Sequence, residues 1–220
     1  MRHPHGLRAA AAAGLPAIGA AYQGGFFAGL ISHTANGVAT HALIVAPKAT
    51  GATGTDYTPL TTSKEWKTSY SLTAGTTSDF NGAANTAAMV TAGIALHPAA
   101  QFCTGLSIGG YTDWYLPARY ELDIAYQNLK PTTASNDTSF GINAYSVPVR
   151  ASNRTAGAPA QTTVTSFKTG NSEAFAASAH WSSTEDDSSN AWGMYLSDCF
   201  QRADGKLGPT NVRAFRKVAV

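Results

Sequence analysis

The run Trp181-Ser182-Ser183-Thr184 concentrates hydroxyl side chains of the kind that can act as nucleophiles. A serine nucleophile elbow needs flanking glycines at a strand-to-helix turn. Here the neighbouring residues favour a strand, a polar loop and a second strand. We therefore interpret Trp181 as a core residue, and we expect the three hydroxyls to hydrogen-bond nearby backbone.

A second candidate for chemistry is the carboxylate pair Asp113 and Glu121, which could divide the roles of acid and base. No histidine or nucleophile accompanies the pair, so the pattern is incomplete for catalysis. Pro117 lies between the two carboxylates and suits the first turn of a helix. We interpret Asp113 as an acceptor for local backbone amides, and Glu121 as the partner of Arg119 or of a C-terminal arginine.

Arg213 and Arg216 lie three residues apart in the last predicted strand. Side chains three apart in a strand point to opposite faces of the sheet. We expect one arginine to be an interior ion-pair partner, for example of Glu121, and the other to be exposed.

Metal-ligating residues are present but poorly spaced. Glu185-Asp186-Asp187 is acidic, yet calcium needs six to eight oxygens, and the lectin motifs Glu-Pro-Asn and Trp-Asn-Asp are absent. The six histidines are scattered, and Cys103 and Cys199 form no CxxC pair. We expect no metal and no cofactor. We also expect two reduced, buried thiols, the alternative being one long-range disulfide in an oxidising environment.

The segment from residue 184 to residue 204 has the composition of a recognition surface, with aromatic anchors among small polar groups. Alternation places Trp192, Met194 and Leu196 on one face of a strand and Tyr195 on the other. We expect the Trp192 face to be inward and both Trp181 and Trp192 to be largely buried. The predicted receptor-binding residues are Glu185, Asp186, Asp187, Ser188, Ser189, Asn190, Tyr195, Phe200 and Arg202.

These residues must be positioned by an α+β domain with a mostly antiparallel sheet, two helices and long loops. Strands are predicted at both ends of the chain, with short ones around EWKTSYSLT and in the segments AHWSST and NAWGMYLSD. One helix is capped by Asp79 or Asn81 and ends near Gly93, and a short helical turn follows near His97-Pro98. A second helix carries Leu122, Ala125, Tyr126 and Leu129 on one face. Residues 48–63 and 131–172 are predicted loops, rich in Gly, Thr, Ser, Asn and Pro.

Composition narrows the classes of partner. Charged residues make up 13% of the 220-residue chain and the formal charge is +2, so nucleic-acid binding is not expected. No apolar window is long enough to span a membrane. Residues 1–21 resemble a signal peptide poorly because prolines and glycine interrupt the alanine run. We interpret 1–21 as an arm that attaches the protein to a partner, and 22–220 as one domain.

Three motifs form a series that resembles the Lcl C-terminal domain family, also called DUF1566. The matching residues are Trp114, Leu116, Pro117, Glu121 and Leu122, then Trp181–Thr184, then Val212, Arg213 and Arg216. Upstream, GGFFAGLI, ALIVAPK, EWKTS, GAANTAAM and HPAAQFC look like the version found in bacteriophage tail proteins. The resemblance covers residues 22–220 and implies a C-type-lectin-like fold whose first and last strands are adjacent.

This resemblance implies a non-enzymatic virion protein, assembled in the host cytoplasm and located in the tail or on the outer surface. It would be a tail-fibre or tail-tip subunit, plausibly a homotrimer, that binds a host-surface glycan or outer-membrane protein. Residues 1–21 would contact other virion proteins. The alternatives are a structural capsid or tail decoration protein, a glycan-active enzyme, which lacks a convincing carboxylate pair, and a bacterial surface adhesin.

Overall fold

The computed structural model describes residues 14–54 and 62–220. The strands are β1 (Ala21–Tyr22), β2 (Gly25–Ile31), β3 (His41–Val45), β4 (Ala52–Thr53), β5 (Ser146–Val147), β6 (Ala179–Glu185), β7 (Asn190–Tyr195), β8 (Gln201–Gly205), β9 (Val212–Arg213) and β10 (Phe215–Ala219). The α-helices are α1 (Lys48–Gly51), α2 (Gly82–Gly93), α3 (Pro98–Thr104) and α4 (Arg119–Leu129). Two 3-10 turns follow α2 and precede β6, at Ile94–Leu96 and Thr165–Phe167.

The strands form three sheets, in the orders β1-β2-β3-β10 with β5 on β2, β4-β9, and β6-β7-β8. Every strand pair within them is antiparallel. The predicted α+β class with mostly antiparallel sheet is therefore confirmed. The predicted pair of helices corresponds to α2 and α4, and the short helical turn predicted near His97-Pro98 corresponds to α3. The single-turn α1 lies inside a predicted loop and was not expected.

The last strand pairs with β3, with Phe215 opposite Val45, so the expectation that the first and last strands are adjacent was wrong. The tight turn at Gln23-Gly24 folds β1 back on β2, where it forms only a two-residue ladder. β2 then pairs with β3, so the other edge of β3 is the one that receives β10.

Two hydrophobic clusters lie on opposite faces of β3. Leu43 and Val45 belong to a cluster with α4, whereas Ile44 and Ala46 belong to a cluster with α3 and three tryptophans. Successive strand residues point to opposite faces, so one strand contributes to both clusters. The two free cysteines are divided between them and are buried, as the sequence predicted.

The helices begin and end close to where the sequence places them. Asn81 caps α2 by accepting a hydrogen bond from the amide of Ala84 at 3.2 Å, and the helix ends at Gly93. Helix α4 begins at Arg119, just after Pro117, and buries the predicted apolar face. The segment EWKTSYSLT forms no strand, and the amide of Trp66 donates to the carbonyl of Lys206 at 2.9 Å outside any strand.

Residues 14–21, the described part of the predicted arm, lie against the domain. The predicted boundary after residue 21 falls inside the β1–β2 hairpin, since Ala21 pairs with Phe26. The amide of Gly19 donates to the carbonyl of Phe27 at 2.8 Å, and Ile18 packs on the α4 cluster. Residues 1–13 lie outside the described part of the chain, and so do residues 55–61 of the first predicted loop.

Both C-terminal arginines are buried, so the expectation that one is exposed was wrong. Arg213 pairs with Glu173 at 3.1 Å, and Arg216 pairs with Asp113 at 2.8 Å. Asp113 therefore does not act as a local backbone acceptor. Glu121 pairs with neither of them, and Arg119, its other predicted partner, contacts Asp79 and Gln201 instead.

Candidate functional site

The hydroxyls of the Trp181–Thr184 run are structural. Ser182 Oγ donates to the carbonyl of Trp192 at 2.7 Å, and Thr184 Oγ1 donates to the carbonyl of Ser78 at 2.9 Å. Trp181 is fully buried, and its Nε1 donates to the carbonyl of Lys64 at 2.9 Å. Ser183 differs from the expected backbone bonding, because its Oγ accepts from the side-chain Nδ2 of Asn85 at 3.1 Å. The run therefore holds β6 to its neighbours, through backbone carbonyls for Ser182 and Thr184 and through a side chain for Ser183.

Glu121 is likewise held inside the fold. Its carboxylate accepts hydrogen bonds from the Ala118 amide at 2.8 Å, the Gly82 amide at 3.2 Å and the Tyr115 hydroxyl at 2.9 Å. Burial raises the pKa of this carboxyl to about 7. The three donors join the start of α2 to the start of α4, which gives Glu121 a structural role.

Glu185 was expected on the outer surface, and that expectation was wrong: the residue is only 5% exposed. Its Oε1 lies 2.6 Å from Nζ of Lys206, and its two oxygens accept from the Thr73 amide at 2.9 and 3.1 Å. Thr76 Oγ1 donates a further hydrogen bond at 3.0 Å. A carboxylate with these partners is satisfied inside the protein and does not face solvent.

The rest of the acidic stretch forms the exposed turn between β6 and β7. Asp187 organises it, because its Oδ1 accepts from the amides of Ser189 and Asn190, both at 2.7 Å. The side-chain hydrogen bond from Asn190, followed by these two amides, lowers the pKa of Asp187. Asp186 and Ser188 are exposed, and Ser189 and Asn190 are half-buried.

Tyr195, Phe200 and Arg202 lie elsewhere on the same sheet. Asn190 begins β7 and Tyr195 ends it, so roughly 16 Å of strand separates the turn from Tyr195. Phe200 is 37% exposed and its ring centroid lies 6.1 Å from that of Tyr195. Arg202 is exposed on the edge strand β8, where it stands opposite Gly193. The predicted residues thus form two groups, one in the turn between β6 and β7 and the other around Tyr195 and β8.

The opposite face of β7 packs inward. Met194 and Leu196 are buried as predicted. Trp192 is only half-buried, and the guanidinium of the partly exposed Arg119 covers its ring at 3.9 Å from the centroid. Tyr195 points to the other face and is half-buried there.

That other face carries a cleft of about 390 Å³, which we call the β6–β8 cleft. Its side-chain lining is Tyr70, Trp181, Tyr195, Arg202, Asp204 and Thr210, with Ala179, Gly205 and Gly208 completing it. This volume lies within the range of about 300–1,000 Å³ that is common for small-molecule sites.

Arg202 and Asp204 form an ion pair across the cleft wall, with Nε of Arg202 2.5 Å from Oδ1 of Asp204. The hydrogen bond to Asp204 raises the pKa of the Arg202 guanidinium above its ordinary value. The two residues are two apart in β8 and so share one face. The cleft therefore presents donors and an acceptor side by side, with no net charge from the pair.

Sequence reasoning missed two of the residues that define this cleft. Asp204 could have been found from the sequence, since it lies two residues after the predicted Arg202 in the same strand and therefore on the same face. Tyr70 could not, because its loop is more than 100 residues away from β8 and only the tertiary fold brings it to the cleft. The loop is held by Lys206, whose Nζ donates to the carbonyl of Ser71 at 3.0 Å.

The described residues contain no group of three or more His, Cys, Asp or Glu side chains placed to hold a metal ion. No helix in the described ranges combines the length and apolar character needed to cross a membrane. The fold and site thus define an α+β protein with a polar, aromatic-lined cleft on an antiparallel sheet. Neither a scan of protein-family models nor a search of curated proteins found a match to this chain.

Proposed function

We propose that this chain is a bacteriophage virion protein, a tail-fibre or tail-tip subunit that binds a host-surface receptor through the β6–β8 cleft. The observation that carries the proposal is the cleft itself, where Tyr70, Tyr195 and Arg202 reach the surface together. Tyrosine and arginine at the mouth of a cleft are typical of recognition sites. The assignment to a virion rests on the resemblance to phage tail versions of the Lcl C-terminal domain family.

The same resemblance leads us to propose a C-type-lectin-like fold. The residues that carry it have structural roles that fit one another. Glu121 joins two helices, Trp181 is buried, and Arg216 pairs with Asp113 next to Trp114. A motif series whose members contact the same core supports a shared fold more strongly than any one motif does.

We propose binding rather than catalysis because of the cleft's chemistry. Among the described residues that line it, Asp204 is the single carboxylate, and Arg202 neutralises it. Glycoside hydrolysis commonly uses two carboxylates placed on either side of the scissile bond. The described lining also includes no cysteine or histidine that could act as a nucleophile or base.

The partners follow from the same proposal. The protein would act in the tail or on the outer surface of the particle, after assembly in the host cytoplasm, as a homotrimer joined to other virion proteins through residues 1–21. Residues 14–21 already pack on the domain, so the attachment would include residues 1–13.

The test compares particles assembled with the wild-type chain, Tyr195→Ala, Arg202→Ala and the control Val90→Ala, whose side chain is exposed on α2. An antibody against the chain first establishes its presence in purified particles. We expect the two cleft variants to adsorb to host cells at least tenfold more slowly, with unchanged melting temperature, and Val90→Ala to adsorb normally.

Normal adsorption of both cleft variants, with the chain present in the particles, would favour a structural decoration protein. Absence of the chain from purified particles would overturn the virion assignment.

A further inference from the structure

We propose that the β6–β8 cleft binds a neutral hexopyranose unit of a glycan, without a metal ion. This inference rests on the proposed receptor-binding function and names the class of ligand. It is argued from three features of the cleft: the paired charges on β8, the two tyrosines, and the rigid attachment of the wall that carries Tyr70.

The paired charges favour a polyhydroxylated, uncharged ligand. Both contacts from the Arg202 guanidinium reach Oδ1 of Asp204, whereas Oδ2 lies on the side of Gly193, 3.8 Å from a Cβ built there. A hydroxyl is both a donor and an acceptor, so one hydroxyl of a vicinal pair can donate to the carboxylate while its neighbour accepts from the guanidinium. Both hydrogen bonds are charge-assisted, which makes them stronger than neutral ones.

The same pair disfavours charged ligands. An acidic sugar, a sulfate or a phosphate would gain from Arg202 but would be repelled by the carboxylate beside it. A cationic ligand would be attracted by Asp204 but repelled by Arg202. A sugar without charge gains from both groups and is repelled by neither.

The two tyrosines supply surfaces for the apolar side of a sugar ring. Tyr70 is 57% exposed, and Tyr195 is half-buried beside Phe200. A pyranose presents a face of C–H groups, which packs well against the electron-rich face of an aromatic ring. Each tyrosine also carries a hydroxyl that can donate or accept at the polar edge of the ligand. Gly205 leaves space next to Tyr70, since a Cβ there would lie 3.5 Å from the Tyr70 hydroxyl.

The cleft is held in shape before any ligand arrives. The carbonyl of Ser71, next to Tyr70, accepts hydrogen bonds from Nζ of Lys206 at 3.0 Å and from Nζ of Lys67 at 3.1 Å. On the other side, Trp181 is fixed by its hydrogen bond to the carbonyl of Lys64. A wall fixed by buried lysines loses little conformational freedom on binding, which favours affinity for a small ligand.

The test uses the full chain in a buffer with EDTA, titrated with the methyl glycosides of glucose, galactose and mannose and followed by saturation-transfer NMR. We expect saturable transfer with at least one of them, and binding at least tenfold weaker for Asp204→Ala and Tyr70→Ala. Gly205→Ala should weaken it too by narrowing the cleft. Gly157→Ala is the matched control, because nothing lies within 4 Å of its Cβ.

Absence of saturable binding to all three glycosides, with a folded protein, would overturn the sugar inference. So would binding that Asp204→Ala and Tyr70→Ala leave unchanged, or binding that EDTA abolishes.

Adsorption to treated host cells separates this inference from the proposed function. Loss of adsorption after periodate oxidation, but not after protease treatment, supports a glycan receptor. If adsorption depends on Tyr195 but is lost only after protease treatment, the receptor-binding function stands and the sugar inference is overturned. If the cleft binds a sugar but every cleft variant adsorbs normally, the sugar inference stands and the proposed receptor-binding function is overturned.

Discussion

Glu185 and Lys206 form an ion pair inside the protein, with 2.6 Å between Oε1 and Nζ and side-chain exposures of 2% and 0%. The pair joins the end of β6 to the residue after β8. Lys206 Nζ also donates to the carbonyls of Ser71 at 3.0 Å and Ser188 at 3.1 Å. One buried ammonium thus holds both the loop that carries Tyr70 and the acidic turn.

Replacing Glu185 with Gln should destabilise the protein by about 3–5 kcal/mol, the usual cost of leaving a buried partner charge uncompensated. The side-chain amide of the glutamine would also place its NH₂ group, a donor, against Lys206 or against the Thr73 amide and the Thr76 hydroxyl, which are donors themselves. Urea denaturation measures the loss, with Asp186→Asn in the exposed turn as control. A loss below about 0.5 kcal/mol, the level of a surface substitution, would contradict the role assigned to the pair.

The two tryptophans of the opening motif should differ in their contribution to stability. Trp181→Ala removes a fully buried ring and should cost about 3–5 kcal/mol. Trp192→Ala should cost less, about 1–2 kcal/mol, because the ring is half-buried and loses chiefly its stacking on Arg119. Chemical denaturation of both variants tests this order. Equal losses would mean that Trp192 is as much a core residue as Trp181.

His33 should contribute a loss of stability as the pH drops from about 6.5 towards 4. Burial, followed by the charges of Lys217 and His41, lowers the pKa of His33 to about 4. Lys217 Nζ lies 3.4 Å from its Nε2, and the two imidazole centroids are 4.4 Å apart. The unfolded chain binds a proton near pH 6.5 that the folded protein resists, so protonation favours unfolding in this window.

The measurement is the free energy of unfolding in urea at pH 7 and at pH 5, for the wild type and for His33→Gln. We expect the free energy of unfolding to fall less, or to rise more, from pH 7 to pH 5 in the variant than in the wild type, because the destabilising contribution of His33 is gone. The comparison needs the variant because Glu121, whose pKa burial raises to about 7, contributes in the opposite sense. An identical pH dependence in the two proteins would refute the prediction.

Asn143 should be essential for the order of the long loop over residues 131–172. Its Nδ2 donates to Asp123 Oδ2 at 2.7 Å, and its Oδ1 accepts from the amides of Tyr145 and Ser146 at 3.0 and 3.1 Å. Asn143→Ala removes all three hydrogen bonds and takes away the side-chain acceptor of the Tyr145 amide, although Asp123 keeps its pairs with Arg150 and Arg154, so the change should cost about 2–3 kcal/mol. Limited proteolysis should then cut the loop faster, whereas exposed Asn153→Ala should behave as the wild type.

Much of the local structure could be predicted because neighbouring residues decide it. Asn81 and Gly93 bound α2, and the spacing of Leu122, Ala125 and Leu129 gives α4 its buried face. These features depend on capping and periodicity, which act within a few turns of chain. The burial of Trp181 and of both thiols follows in the same way from residue type.

The candidate site could be predicted only in part. Tyr195 and Arg202 were expected at a recognition surface, and both line the cleft. Glu185 was expected beside them because it begins an acidic run, and acidic runs are usually solvated. Its donors Thr73 and Lys206 come from other parts of the chain, and no local pattern announces them.

By itself, the sequence determined the α+β class, the positions of the main helices and strands, and which short segments are apolar enough to be buried. Only the tertiary structure decided that β10 pairs with β3, that Glu185 is an interior anion, and that Tyr70 faces Arg202 and Asp204 across one cleft. The physical reason is the distance along the chain over which each interaction acts. Propensity and periodicity act between residues a few positions apart, whereas ion pairs and cleft walls join side chains that are distant in the chain and near in space.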